Sequence, residues 1–187
     1  MSRVTASSTH WVFGYGSLIR KPGFAFRHKS KALLYGAHRS LCIYSHRHRG
    51  TPERPGLVFG LVRGGSCRGM AFEVDDADWE QVHAYLAARE MDRGVYREAS
   101  RPIRLDDGRT VNALAFLVDM RHAQYAGRLD LAEQVRLVRR GIGESGPNPE
   151  YVLQTAQHLE ALGIHDRYLA DIVEALNGTD LAVTESA

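Results

Sequence analysis

Long apolar runs are missing from this chain. No stretch of its 187 residues approaches the ~20 consecutive apolar positions that a membrane-crossing helix needs. The first ten residues are polar, so no secretory leader is expected. Cysteine is scarce as well. Cys42 and Cys67 have neither metal spacing nor a C-x-x-C arrangement, which favours two buried thiols over a disulfide or a zinc site. A strong charge imbalance is also lacking: the formal net charge of +2 is too small for a nucleic-acid footprint. Repeats and low-complexity segments are absent. These gaps point to a cytoplasmic protein with no membrane or nucleic-acid partner, and they leave the oligomeric state open.

What is present is ordinary globular material, 44% hydrophobic and 25% charged, enough to bury a core without staples. One domain is expected over residues 11–178, with an N-terminal extension at 1–10 and a C-terminal tail at 179–187 that has no apolar pattern to hold it.

The first two-thirds reads mostly as strands. Trp11 to Tyr15 is short and apolar, and Leu33 to Tyr44 is long but interrupted by Gly36. Leu57 to Val62 and Cys67 to Val74 flank Arg63-Gly64-Gly65-Ser66, a hairpin-turn composition. Ile103 to Leu105 and Val111 to Val118 flank Asp107-Gly108, a stronger hairpin signal. One helix, about Asp76 to Met91, interrupts them, with Asp75, Asp76 and Asp78 at its positive end.

The last third reads as helices. Leu131, Val135 and Val138 recur at helical spacing before Gly141. Asn148-Pro149 fits an N-cap with proline at the first helical position, followed by Val152, Thr155, Leu159 and Leu162 on one face up to Gly163. Asp166 is placed to cap a final helix carrying Leu169, Ile172, Val173 and Leu176. Short strands with helices attached give an α+β fold, its sheet curled towards a barrel.

Two features carry chemistry. The first is a carboxylate on an apolar face. Trp79, Val82 and Leu86 make the stripe of the interrupting helix, and Glu90 lies on that stripe, within about 40° of Leu86 around the axis. Burial of a carboxyl is costly unless it is paired, and the carbonyls at a helix C-terminus repel its charge. Both effects push its pKa upwards, as suits a group that takes and returns protons near neutral pH. The competing role is structural, with Glu90 pairing to Arg89, Arg93 or Arg97 and Gly94 stopping the helix.

The second feature is Val12-Phe13-Gly14-Tyr15-Gly16-Ser17-Leu18, a strand running into a glycine turn. Glycines let a ligand come close to backbone N–H groups, and successive N–H groups can form a nest for a carboxylate or phosphate. It is not a P-loop, because no Gly-Lys-Ser/Thr follows, and it lacks the third glycine and the helix of a dinucleotide fingerprint. Basic residues gather at Arg39, Arg47 and Arg49, a composition suited to a small anion. His46 and His48 lack a third ligand and make no metal site. A solvated loop, or one that holds a substrate carboxylate through Arg49, fits His46 to Arg49 better.

The string Trp11 to Ile19 resembles the start of the ChaC family of γ-glutamylcyclotransferases. Three further segments are similar to family segments, in order: His46 to Gly56, Arg89-Glu90 with Gly94-Val95-Tyr96, and Gly146 to Tyr151. The resemblance implies a γ-glutamylcyclotransferase-like mixed sheet and barrel with flanking helices, acting on glutathione with no cofactor and no metal. It implies that Val12 to Leu18 hold the γ-glutamyl group, that Glu90 is the acid–base catalyst, and that Tyr96 and Tyr125 are candidate substrate contacts. Two positions depart from the family pattern: Val95 stands where a second glycine is usual, and Arg20 where an aromatic is common. Other γ-glutamyl peptides or amines, or a non-catalytic module that binds an acidic metabolite, are the alternatives.

Overall fold

The computed structural model describes residues 9–91 and 94–178. The proposed N-terminal extension up to residue 8, the tail from 179, and Arg93 lie outside the described residues. In chain order the elements are β1 (Thr9–Gly14), α1 (Ser17–Arg20), β2 (His28–Ser45), β3 (Gly56–Asp75), α2 (Asp76–Glu90), β4 (Tyr96–Leu105), β5 (Thr110–Val118), α3 (Leu131–Arg140), β6 (Ile142–Gly143), β7 (Gly146–Pro147), α4 (Asn148–Ala161) and α5 (Arg167–Asn177).

The chain divides into two compact units. One comprises residues up to Ser40 and Phe59–Tyr125; the other comprises Leu41–Val58 and the residues from Ala126 onwards. The first unit carries a closed barrel in the strand order β1-β3-β2-β4-β5, with β3 also pairing β5. β1 runs antiparallel to β3, with Gly14 opposite Met70, and parallel to β5. Val12, Phe13, Leu34, Leu61, Phe72, Ile103 and Phe116 fill its interior, all at most 2% exposed. In the second unit α3, α4 and α5 pack on one another around Val138, Val152, Leu159, Leu169 and Ile172.

The α+β class and the barrel agree with the sequence reading. So does the β4–β5 hairpin, where Gly108 takes φ +89. Asp166 caps α5 by accepting from the Leu169 N–H, and Cys42 and Cys67 are buried and not joined in a disulfide. Among the described residues no helix is long and apolar enough to cross a membrane.

Three local expectations fail. Residues 63–66 form no hairpin: β3 runs straight through them, with Gly64 and Gly65 at φ +96 and +73. The two glycines absorb a distortion within one long strand rather than reversing it, as glycine inside a strand often does. Gly36, at φ +83, is likewise carried inside an unbroken β2. Asn148 is not an N-cap: Pro147 takes that position. The fully buried Asn148 amide instead accepts from Leu57 N–H at 2.6 Å and donates to Leu57 O at 2.8 Å, completing strand-like pairing for a buried backbone.

Candidate active site

The glycine turn leaves the barrel at the end of β1. Tyr15 is buried, and its carbonyl accepts a 2.7 Å hydrogen bond from Arg39 Nε. Arg39 is itself 3% exposed and also donates through Nη2 to Arg68 O at 2.8 Å. A buried guanidinium needs such partners, and these two fix the turn against β2 and β3. A Cβ on Gly69 would collide with the Gly14 carbonyl oxygen and the Phe13 ring, so glycine at 69 is what lets β3 approach the turn. At Gly16 a Cβ would meet nothing within 4 Å, so that side of the turn is open. The sequence reading expected no helix after the glycines. The chain forms one turn of helix there, α1, with Gly16 O accepting from Ile19 N–H.

Glu90 ends α2, whose Val82 and Leu86 are buried against the first unit's core and whose Trp79 stacks on the His10 ring at 4.3 Å. The Glu90 side chain is only 15% exposed. Burial pushes its pKa up, and the Arg89 guanidinium pulls the other way without cancelling the rise. The ion pair anticipated for a purely structural Glu90 is present: Arg89 Nε lies 3.2 Å from Glu90 Oε1. The same guanidinium also reaches the glycine turn, donating through Nη2 to Ser17 Oγ at 3.0 Å. Its Nη1 donates to Lys21 O, Pro22 O and Tyr85 Oη at 2.8, 3.1 and 3.0 Å. Glu90 and Ser17, 73 positions apart in the chain's order of motifs, are thus held by one planar group.

The remaining candidates are placed differently. Val12, Phe13, Gly14 and Leu18 are buried in or beside β1, so of the expected binding string only Gly16 and Ser17 are not buried. Tyr96 opens β4 and donates to Phe59 O at 3.1 Å. Tyr125 ends a turn in which its N–H donates to His122 O. Arg97, the third possible partner of Glu90, pairs with Asp119 instead. The departure at Val95 is absorbed without strain: Gly94 alone takes the left-handed conformation, at φ +66, and Val95 packs at 4% exposure.

The basic cluster dissolves. Arg39 is the buried brace described above. In the second unit Arg47 pairs with Glu144 at 2.7 Å, and Arg49 donates to Pro147 O at 3.1 Å with its guanidinium 5.4 Å from the Tyr151 ring centre. His48 Nδ1 is 3.1 Å from Ser145 Oγ. These side chains staple the loop from His46 to Arg49 onto the β6–β7 hairpin. Among the described residues no three His, Cys, Asp or Glu side chains are grouped to hold a metal.

Sequence reasoning missed the parts played by Arg39 and Tyr85, and for Arg89 it offered the pairing with Glu90 but not the reach to Ser17. For Arg39 a signal existed, an arginine in the middle of an otherwise apolar strand. For Tyr85 the signal was its i, i+4 spacing from Arg89 on α2.

Comparison with known proteins follows the same lines. The family model described as ChaC-like protein matches residues 10–179. The chain is 36% identical over 163 residues to an Escherichia coli (strain K12) protein named glutathione-specific gamma-glutamylcyclotransferase, covering 87% of this chain and 71% of that one. It is 32% identical over 182 residues to Danio rerio glutathione-specific gamma-glutamylcyclotransferase 1, covering 94% and 93%. A crystal structure of a yeast γ-glutamyl cyclotransferase specific to glutathione superposes with a TM-score of 0.82 at 23% identity, covering 91% of this chain and 96% of that one, which establishes the shared fold.

Proposed function

The chain belongs to the ChaC-like family, and from that premise we propose that it is a glutathione-specific γ-glutamylcyclotransferase, a lyase in which Glu90 is the acid–base catalyst and the turn from Gly14 to Leu18 holds the γ-glutamyl group. The substrate's α-amine attacks its own γ-carbonyl carbon and closes a five-membered ring. The bond from that carbon to the cysteinyl nitrogen breaks, releasing 5-oxoproline and Cys-Gly. The proton lost by the amine is returned to the leaving nitrogen, so atoms balance without water.

The observation that carries this reading is the shielded Glu90 carboxyl, with its raised pKa, held on the same guanidinium as Ser17. The attacking amine arrives as an ammonium with a pKa of roughly 8. A carboxylate of ordinary pKa falls about four units short, roughly 5 kcal/mol uphill. Desolvation narrows that gap, and the protonated carboxyl then donates to the departing nitrogen. The open side of Gly16 gives the glutamyl group access to backbone N–H donors, for its α-carboxylate or for the developing oxyanion. Anchoring a bent glutamyl group brings amine and carbonyl to attack distance.

Incubation with reduced glutathione, with 5-oxoproline and Cys-Gly measured together, tests the activity. In water enriched in oxygen-18, both products are expected to stay unlabelled; label incorporated at the cleaved carbonyl would mean hydrolysis and would overturn ring closure. A panel of γ-glutamyl amino acids and amines run alongside tests the glutathione preference, which fails if those donors alone are turned over.

A further inference from the structure

One guanidinium serves two parts of the first unit. Arg89 spends Nε on Glu90, Nη2 on Ser17, and Nη1 on the Lys21 and Pro22 carbonyls and the Tyr85 hydroxyl. These partners come from α2, α1 and the segment after α1. No lysine has this reach, because an ammonium is a point donor and the guanidinium a planar fork with five N–H groups. With its side chain 24% exposed, Arg89 is neither a solvated surface charge nor sealed in the core.

We propose that Arg89 is a positioning residue that clamps the Glu90 carboxyl and the Ser17 hydroxyl into one rigid piece, so that the proton carrier and the glycine turn keep a fixed geometry through the reaction. The clamp rests on the catalytic reading of Glu90 given above. Two separable properties of the side chain do the work. Its charge favours the ionised carboxylate against desolvation, which keeps Glu90 able to accept a proton. Its forked shape holds Ser17 and the 21–22 carbonyls in place, and fixed geometry is what an intramolecular attack needs. Among the described residues, Arg89 is the charged side chain that pairs with Glu90. From the opposing segment, Ser17, Lys21 and Pro22 meet the guanidinium through a hydroxyl and backbone carbonyls, while Arg20 and Lys21 are exposed residues; within α2, Tyr85 contributes a neutral hydroxyl.

The test compares Arg89→Met, Arg89→Lys and Ser17→Ala with the wild type, reading kcat and KM against pH. In parallel, the Glu90 carboxyl is titrated by carbon-13 NMR, its resonance assigned by its loss in Glu90→Gln. Arg89→Met should move the acidic limb of kcat/KM and the Glu90 titration together to higher pH and lower kcat/KM about a hundredfold. Arg89→Lys should leave both titrations near the wild-type position, yet still lose roughly tenfold in kcat/KM, the equivalent of about one hydrogen bond. Ser17→Ala should raise KM without moving either limb. A Glu90 titration unchanged in Arg89→Met, or full activity in Arg89→Lys, overturns the clamp. Should Arg89→Met not fold, the Arg89→Lys and Ser17→Ala pair decides the forked-geometry claim. A wild type that forms no 5-oxoproline would defeat the functional reading instead, and the NMR titration, which needs no turnover, would still decide whether Arg89 governs Glu90.

Discussion

At the scale of single residues, Glu90 carries an energetic disadvantage that the proposed acid–base role would put to use. Its pKa in the folded chain lies above the ordinary 4.5 because burial disfavours the charged form. The native state therefore binds this proton more tightly than the unfolded chain does. That contribution to stability is fully present below the unfolded pKa and is lost as pH rises through the raised folded value. Glu90→Gln, which carries no charge at any pH, should make the protein more stable than the wild type above that window, the difference shrinking towards zero as pH falls below 4.5; melting temperatures across pH measure it. The same substitution should lower turnover by ~10²–10⁴-fold while glutathione binding survives. Undiminished turnover in Glu90→Gln would sink the acid–base role. The position of Glu90 on the apolar stripe was legible in the sequence because helical periodicity is local. Its guanidinium partner was legible only as one of three arginines, since the choice among Arg89, Arg93 and Arg97 depends on where the chain goes after residue 91.

At the scale of elements, the decisive contacts are made by backbone held in unusual closeness. Gly69 sits where β3 meets the end of β1, and a methyl group there has no room beside the Gly14 carbonyl. Gly69→Ala should cost about 1–3 kcal/mol of stability, the usual range for overpacking, and should depress activity further by displacing the glycine turn; urea unfolding and turnover read the two effects. Asn148 offers a second element-scale test in the other unit. Asn148→Ala leaves the Leu57 N–H and carbonyl without the amide partner they have now, a loss of about 1–3 kcal/mol for each unpaired buried group. Asn148→Asp should be worse, since a carboxylate cannot donate to the Leu57 carbonyl. Equal stability of Asn148→Ala and wild type in urea would refute the bridging role. The sequence pattern here, Asn before Pro at a helix start, fits a cap well enough that only the tertiary partner, 91 residues away, distinguishes cap from bridge.

At the scale of the whole molecule, the boundary between the two compact units falls inside β2 and β3, so neither unit is an uninterrupted piece of chain. Continuous strands transmit loss of order along their length, and unfolding is expected to be a single cooperative transition. Both tryptophans, Trp11 and Trp79, belong to the first unit. Asn148→Ala, a lesion in the second, should nonetheless shift the tryptophan-monitored midpoint together with the far-ultraviolet signal; separate midpoints would show independent units. The sequence by itself determined the α+β class, the helices α2 to α5, the β4–β5 hairpin and the place of Glu90 on an apolar helix face, because periodicity, turn chemistry and a misplaced charge are properties of neighbouring residues. Tertiary structure alone decided that Gly64-Gly65 continues a strand, that Arg39 braces Tyr15 instead of joining a basic surface, and that Arg89 spans Glu90 and Ser17. Each of these turns on which distant group lies within hydrogen-bonding distance, and chain-local patterns carry no information about that.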